Sequence, residues 1–280
     1  MQYIRREQVA VMNHHYHYYT LDYFLKAQKE LGMETIEFWA GSPHIWMDHY
    51  CAYDVNKVKD KIASYDFHIG CVTPENTAYM YQVAGWEEDQ KDRAFKYFSN
   101  GIHLTAELGC DRMGINCGWG YLGEDKKEGY KRSTEMLSRL AQVAEREGIL
   151  LMAETTPRGF GNVVCTLEDL KELISTVGNK ALKPMLNTTA MSCAGETMED
   201  WFEAFGNDIE HIHFVDGMPE GQLIWGDGIH DLAEWISVLN RYGYDKYLGQ
   251  DITDGRYIEH PEFYDKRSIR NLERYMRPED

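Results

Sequence analysis

The sequence has 280 residues, with 29 basic and 46 acidic side chains and a formal net charge of −17. A chain of this length can build a large core without disulfides, and its negative charge repels phosphate backbones and anionic lipid headgroups. We therefore expect neither a nucleic acid nor a membrane as a partner.

The cysteines and the apolar runs indicate the compartment. The six cysteines show neither CxxC pairing nor zinc-finger spacing, which is typical of reduced cytosolic thiols. The first residues lack the apolar run of a signal peptide, and no stretch approaches the roughly 20 apolar residues of a membrane span. We expect a cytoplasmic protein.

Short apolar runs alternate with amphipathic helical patterns along the whole chain. The predicted strands are 9–12, 35–39, 68–73, 112–116, 149–154, 183–187, 209–215 and 247–252. The predicted helices are 20–32, 54–65, 89–108, 127–147, a helix that begins with a Thr166/Asp169 capping box, a short helix from Met198, 231–243 and 261–276. Thr20 and Asp54 are the predicted N-caps of the first two helices.

Eight strand–helix units in this length predict an α/β fold, a (β/α)8 TIM barrel that forms a single domain over residues 1–280. The strand runs are continuous rather than alternating, as expected for parallel strands covered on both faces. The alternative is a doubly wound open sheet. That fold usually has a glycine-rich turn after the first strand, whereas this chain has the sequence NHHYHYY there.

Polar side chains stand where four consecutive predicted strands end: Glu154, Asn187, His213 and Asp251. The carboxyl ends of barrel strands meet at one mouth, so we expect these side chains to converge. Their carboxylate, amide and imidazole groups suit one divalent metal ion, Mn²⁺ by preference, with Co²⁺, Mg²⁺, Fe²⁺, Ni²⁺ or Zn²⁺ as alternatives. Each residue alone also has a structural interpretation, such as a solvated strand end or a core histidine.

Several stretches carry a resemblance to a known family: IEFWAGSPH (36–44), TPENTAYMY (73–81), AETTPRGFGNVVCTLEDL (153–170), MLNTTA (185–190), HIHFVDG (211–217) and GDG (226–228). In these stretches the sequence resembles the sugar isomerase/epimerase family with a xylose-isomerase-like barrel. It is most similar to the fructoselysine 3-epimerases and, further away, to the ketose 3-epimerases. The resemblance spans nearly the whole chain in order, and it implies a sugar or sugar-amine substrate.

The resemblance also implies a ligand set and a mechanism. The family's strand-end Glu, Asp, His and Glu correspond here to Glu154, Asn187, His213 and Asp251, so two of the four depart from the pattern. The implied reaction moves a proton at the carbon next to a carbonyl, through an enediolate stabilised by the metal. Glu154 and Asp251 would be the catalytic acid–base pair.

Residues near the other strand ends are predicted substrate contacts, although local packing is an equal alternative for each: His14, His17, Trp39, His44, Glu75, Asn116, Trp119, Arg158 and Asp216. The histidines at 14, 15 and 17 suggest pocket lining more than a second metal site. Arg158 would suit a charged or phosphorylated substrate, or else a local ion pair.

Three functions remain open from the sequence. The first is a metal-dependent ketose or ketosamine 3-epimerase or isomerase. The second is a lyase that acts on an oxidised sugar conjugate, as a C-glycoside-cleaving subunit. The third is a sugar-binding relative without turnover, which the departures at Asn187 and Asp251 would explain. Because relatives with this barrel often associate, we also expect a homo-oligomer, either a dimer or a tetramer.

Overall fold

The computed structural model describes residues 3–76 and 80–276 of the chain. Within these residues, eight parallel strands pair in sequence order and close into a barrel, in which β1 pairs with β8. The strands are β1 (Val9–Met12), β2 (Thr35–Ala40), β3 (His68–Pro74), β4 (Arg112–Asn116), β5 (Leu150–Glu154), β6 (Leu182–Asn187), β7 (His211–His213) and β8 (Tyr247–Gln250). The predicted TIM barrel is confirmed. Residues 77–79 of the stretch TPENTAYMY lie outside the described part of the chain.

Helices follow the strands and cover the outside of the barrel. They are α1 (Leu21–Glu30), α2 (Val55–Ala63), α3 (Glu88–Leu108), α4 (Lys126–Glu147), α5 (Leu167–Val177), α6 (Thr188–Ala194), α7 (Met198–Phe205), α8 (Leu232–Arg241) and α9 (Pro261–Glu273). Among residues 3–76 and 80–276, no helix combines the length and the apolar character that crossing a bilayer requires.

The predicted caps are partly right. Thr20 and Thr166 each accept a hydrogen bond from the backbone N–H three residues on. Asp169 does not complete a capping box with Thr166, because its carboxylate accepts the N–H of Cys165 instead. Asp54 does precede α2, but its backbone is left-handed and its side chain makes no cap bond.

Two elements near the barrel mouth differ from the sequence prediction. Helix α6 was not predicted, and it starts directly at the end of β6 with Asn187 as its N-cap. Strand β7 spans only the three residues His211–His213, against a prediction of 209–215. Both differences concern residues that surround the predicted metal site.

Candidate active site

A cavity of about 280 Å³ opens at the carboxyl ends of the strands. Its walls include the four side chains predicted to meet there, Glu154, Asn187, His213 and Asp251. Strands β5 and β6 end at the first two, β7 ends at His213, and Asp251 directly follows β8. The closed barrel therefore brings these side chains together as the strand-end argument expects.

His213 occupies the centre of this group and is 1% exposed. Its Nδ1 atom is 3.3 Å from Glu154 Oε2 and 3.3 Å from Asp251 Oδ2. Burial lowers the pKa of His213, but the carboxylates of Glu37, Asp251 and Glu154 outweigh burial and hold the pKa well above its usual value. The carboxylates thus favour a positive charge at this point.

Glu37 contacts Nε2, the other ring nitrogen of His213, and Glu37 was not among the site residues predicted from the sequence. Its Oε1 is 3.0 Å from His213 Nε2 and accepts a hydrogen bond from Thr73 Oγ1, while its Oε2 is 2.8 Å from His211 Nε2. Burial raises the pKa of Glu37, but the charges and hydrogen bonds of the two histidines hold it well below its usual range. This contact fixes the orientation of the His213 ring.

Two donor sets therefore share His213. Of the described residues, Glu37, His211 and His213 form one compact group, with ligand atoms all within 4.8 Å of one another. This inner group is fully buried, and both carboxylate oxygens of Glu37 already bond to the histidine Nε2 atoms, whereas His211 Nδ1 has no hydrogen-bond partner among the described residues. It is also closely packed, because a Cβ on Gly249 would overlap Glu37 Oε2. The outer set of Glu154, Asp251 and His213 Nδ1 faces the cavity, so it is the better place for a ligand.

Asn187, the predicted metal ligand at the end of β6, has an amide oxygen that already accepts backbone hydrogen bonds. Its Oδ1 accepts the backbone N–H groups of Thr189 and Ala190 at 3.0 and 3.1 Å, as the N-cap of α6. Its Nδ2 is left to donate to Glu154 Oε2 at 3.0 Å. Backbone N–H groups can bond only to the oxygen, so the cap decides which end of the amide faces Glu154.

Asp251 has a similar partner that the sequence did not suggest. Gln222 Nε2 donates to Asp251 Oδ2 at 2.5 Å, and Thr253 Oγ1 donates to Gln222 Oε1 at 2.6 Å. Burial raises the pKa of Asp251 to about 6, with Glu37 and Glu154 adding to the rise, while His213 and the Gln222 hydrogen bond oppose it. Gln222 lies in a loop after β7, where no periodic pattern marks it.

The residues present fit a divalent cation. Three carboxylates, of Glu75, Glu154 and Asp251, line the cavity, and none of its described lining residues is a lysine or arginine. Glu154, Asp251 and His213 Nδ1 offer two carboxylates and an imidazole nitrogen, a donor set that suits Mn²⁺, Fe²⁺, Co²⁺ or Zn²⁺. With Asn187 turned away as an acceptor, these three side chains are the candidate ligands.

Three of the predicted substrate contacts line the cavity: His14, Trp39 and Glu75. The His14 ring packs edge-on against Trp39, with ring centroids 4.8 Å apart. Burial lowers the pKa of His14 to about 4 against the opposing charge of Glu75. A neutral imidazole beside an indole gives this wall both a hydrogen-bonding group and an aromatic face.

The other predicted contacts are not among the lining residues: His17, His44, Asn116, Trp119, Arg158 and Asp216. Asp216 accepts four backbone N–H groups, from Gly217, Gly226, Gly228 and His230. Asn116 bonds to the backbone of Asn76 and Gly118. Both residues shape loops that surround the cavity.

The remaining members of that set lie behind or beside the cavity wall. His44 bonds to Asn13 and to the carbonyl of Tyr19. His17 Nδ1 lies 2.9 Å from the carbonyl oxygen of His14 within the same turn. Trp119 packs edge-on against Tyr121, with centroids 5.3 Å apart. Arg158 is exposed, although Pro157 and Phe160 of the same loop reach the cavity.

Comparison with known proteins identifies the family of this barrel. A family described as the xylose isomerase-like TIM barrel matches residues 25–275. A fructoselysine 3-epimerase from Shigella flexneri is 26% identical over 93% of this chain and 94% of its own length. The structure of a 3-keto-D-glucoside 4-epimerase from E. coli superposes with a TM-score of 0.80 at 16% identity, covering 95% of this chain and 99% of that one. The structure of a D-psicose 3-epimerase from Clostridium cellulolyticum H10 superposes with a TM-score of 0.77 at 15% identity, covering 97% of this chain and 100% of that one.

Proposed function

The chain belongs to the xylose isomerase-like TIM barrel family, and from that premise we propose that it is a divalent-metal-dependent sugar epimerase, of the ketose or ketosamine 3-epimerase type. A fructoselysine 3-epimerase is similar to it over most of the chain. Proton transfer next to a carbonyl inverts the carbon without any net redox change, so a pair of carboxylates and one cation suffice.

One observation carries the proposal. Two carboxylates flank a single imidazole nitrogen at the cavity floor, with Glu154 and Asp251 each 3.3 Å from His213 Nδ1. Both residues are more than 90% buried, and they come from different strands of the barrel. A flat reacting carbon between them would have a carboxylate over each face, which is what inversion of a centre requires.

A cation held by Glu154, Asp251 and His213 would supply the positive charge that stabilises the oxygen atoms next to the reacting carbon, and Mn²⁺ is our first choice. In that arrangement one carboxylate removes the proton and the other returns one to the opposite face. His213 is kept in place by Glu37 through Nε2. Trp39 offers an aromatic face to the C–H side of a sugar ring or chain.

The described lining favours a neutral or amine-bearing sugar over a phosphorylated one. Its acidic side chains are those of Glu75, Glu154 and Asp251, which would repel phosphate, and none of its described residues is a lysine or arginine. The guanidinium of Arg158, which could have bound phosphate, belongs to an exposed side chain outside the lining. A volume of about 280 Å³ is close to the lower end of small-molecule pockets, which suits a single sugar unit.

Solvent exchange tests this function. We expect the Mn²⁺-loaded protein, incubated in D₂O with a panel of ketoses, ketosamines and a 3-keto-glucoside, to place deuterium on the inverted carbon of one substrate, detected by NMR. Deuterium at C3 supports the 3-epimerase assignment. Absence of exchange across the panel would refute turnover and favour a sugar-binding relative.

The role of Glu154 has its own test. Glu154→Gln removes the group that accepts the proton, so we expect exchange to fall by at least about 10²-fold. Glu168→Gln is the matched control, since Glu168 is an exposed glutamate on α5. Exchange that survives in Glu154→Gln at the wild-type rate would show that another residue is the base.

A further inference from the structure

We propose that Asn187 and Gln222 are positioning residues, whose side-chain amides donate an N–H to Glu154 Oε2 and Asp251 Oδ2 and do not bind the cation through oxygen. The two carboxylates of the candidate site would then each have one dedicated amide donor. The inference deepens the proposed function and rests on it only for the identity of the cation site. Its evidence is the pattern of hydrogen bonds around each amide.

For Asn187, the start of α6 fixes the amide. Oδ1 accepts two backbone N–H groups, from Thr189 and Ala190. Turning Oδ1 toward the cavity would leave both N–H groups facing an NH₂ group, and they are buried with no solvent to replace the lost acceptor. The helix therefore dictates that the NH₂ group faces Glu154.

For Gln222, the ionised carboxylate of Asp251 fixes the amide, because it can only accept a hydrogen bond, while the hydroxyl of Thr253 can donate or accept. Thr253 Oγ1 donates to Gln222 Oε1 at 2.6 Å, and Nε2 donates to Asp251 at 2.5 Å. A flipped amide would place its oxygen against the carboxylate of Asp251, and two acceptors would then face each other. Both amides thus turn N–H groups toward the carboxylates for independent reasons.

A donor at these positions serves the site differently from a ligand. Each N–H stabilises one rotamer of its carboxylate without adding negative charge to a cavity that already holds three carboxylates. The fourth ligand position implied by the family resemblance, where an aspartate is expected, is here a neutral donor. The cation would consequently have fewer protein ligands and more room for substrate oxygens.

Exchanging each donor for an acceptor gives the test. Asn187→Asp keeps the cap, since aspartate caps helices as well as asparagine does, but it sets a carboxylate against Glu154. Gln222→Glu does the same against Asp251. In metal-free protein we expect the Tm of each variant to lie at least about 4 °C below that of wild type. When saturating Mn²⁺ is added, we expect the Tm of each variant to rise by more than the Tm of wild type rises, because the cation separates the like charges.

Two further variants separate charge repulsion from simple loss of a contact. Asn187→Ser keeps a capping hydroxyl and removes the N–H donor, so its metal-free Tm should lie between those of wild type and Asn187→Asp. Thr166→Ala removes the cap of α5, and Thr166 is not among the described residues of the cavity lining. This control should lower the metal-free Tm, and its Tm should rise on addition of Mn²⁺ by no more than that of wild type. If Asn187→Asp does not fold, Asn187→Ser and the structural test below still decide the matter.

A crystal structure of the Mn²⁺-loaded wild type is the direct check. We expect Asn187 Oδ1 on the N–H groups of Thr189 and Ala190, and the inference is overturned if that oxygen binds the ion. Metal-free Asn187→Asp and Gln222→Glu variants as stable as wild type would overturn it as well. A wild-type protein that binds no Mn²⁺ would instead count against the proposed function, and the metal-free comparison would still test the donors.

Discussion

The side chain of His44 is held neutral by partners whose own roles are fixed by the backbone. Asn13 Oδ1 accepts the N–H of Trp39, and Asn13 Nδ2 donates to the Trp39 carbonyl and to His44 Nδ1 at 2.6 Å. Nδ1 of His44 must therefore accept, and Nε2–H must donate to the Tyr19 carbonyl at 3.1 Å. Burial is the main cause that lowers the pKa of His44 to about 4.

This gives a prediction about acid stability. The folded pKa of about 4 lies below the ordinary value of 6.5, so the unfolded chain takes up the proton first as the pH falls. The contribution of His44 to the free energy of unfolding should be intact above pH 6.5 and decline by about 3 kcal/mol toward pH 4. Urea denaturation of wild type and His44→Gln at several pH values measures it, since glutamine can keep both hydrogen bonds without titrating.

The pH profiles decide between two outcomes. We expect the stability of His44→Gln to fall less steeply than that of wild type between pH 6.5 and 4, while the carboxylates titrate alike in both. Parallel profiles would mean that His44 accommodates the extra proton, and that Asn13 does not hold it in the neutral state.

Strand-end reasoning could place Glu154, His213 and Asp251 at one mouth because their positions depend only on the closing of the barrel. The partners of these residues depend on more. Glu37 is visible in the sequence as a carboxylate within the apolar run TIEFW of β2. The neighbouring residues in the sequence do not indicate that its partners lie on β7. Gln222 sits in an irregular loop, and its contact with Asp251 exists only after the chain has folded.

At the scale of elements, α6 explains why the role of Asn187 could not be predicted. The stretch TTAMSCA has β-branched and small residues, and Thr188, Thr189, Ala190 and Met191 are all buried. It therefore shows no amphipathic period and weak helix propensity. Without that helix in view, the oxygen of Asn187 seemed available to a metal, whereas it is the N-cap.

Strand β8 provides a prediction of packing. A Cβ on Gly249 would overlap Glu37 Oε2 and meet His211 Nε2 at 2.6 Å, both of which are fully buried. We expect Gly249→Ala to lower the free energy of unfolding by about 1–3 kcal/mol, because the inner group must shift. Urea denaturation measures it.

The matched control is Gly123→Ala, where an added Cβ meets no atom within 4 Å. We expect its free energy of unfolding to stay near that of wild type. A Gly249→Ala variant as stable as this control would show that β8 can yield, and that the contact of Glu37 with the two histidines is less tightly packed than described.

At the scale of the molecule, the fold could be predicted because its signal repeats. Most strand residues are apolar and buried, as expected for parallel strands covered on both faces. An error in one unit, such as the length of β7, leaves the count of units unchanged. We propose that residues 1–280 form one domain, because the repeated strand–helix units belong to a single closed barrel.

Assembly is the prediction that belongs to this scale. We expect a homodimer or homotetramer, with a mass in light scattering of two or four times the 32.6 kDa of one chain. Large exposed apolar side chains on loops after several strands, among them Trp46, Leu122 and Ile229, give apolar surface that a second copy could cover. A mass of one chain at micromolar concentration would contradict the expectation.

The pairing of the first strand with the last sets an order of events at the ribosome. Synthesis proceeds from the N-terminus, so Glu37 and His213 are synthesised before Asp251. Strand β1 cannot pair with β8, and the barrel cannot close, until β8 has been synthesised. A nascent chain that ends before residue 247 would lack both the closing strand and one carboxylate of the site. Under the proposed function, all three candidate ligands of the cation would be present only in chains whose translation is almost complete.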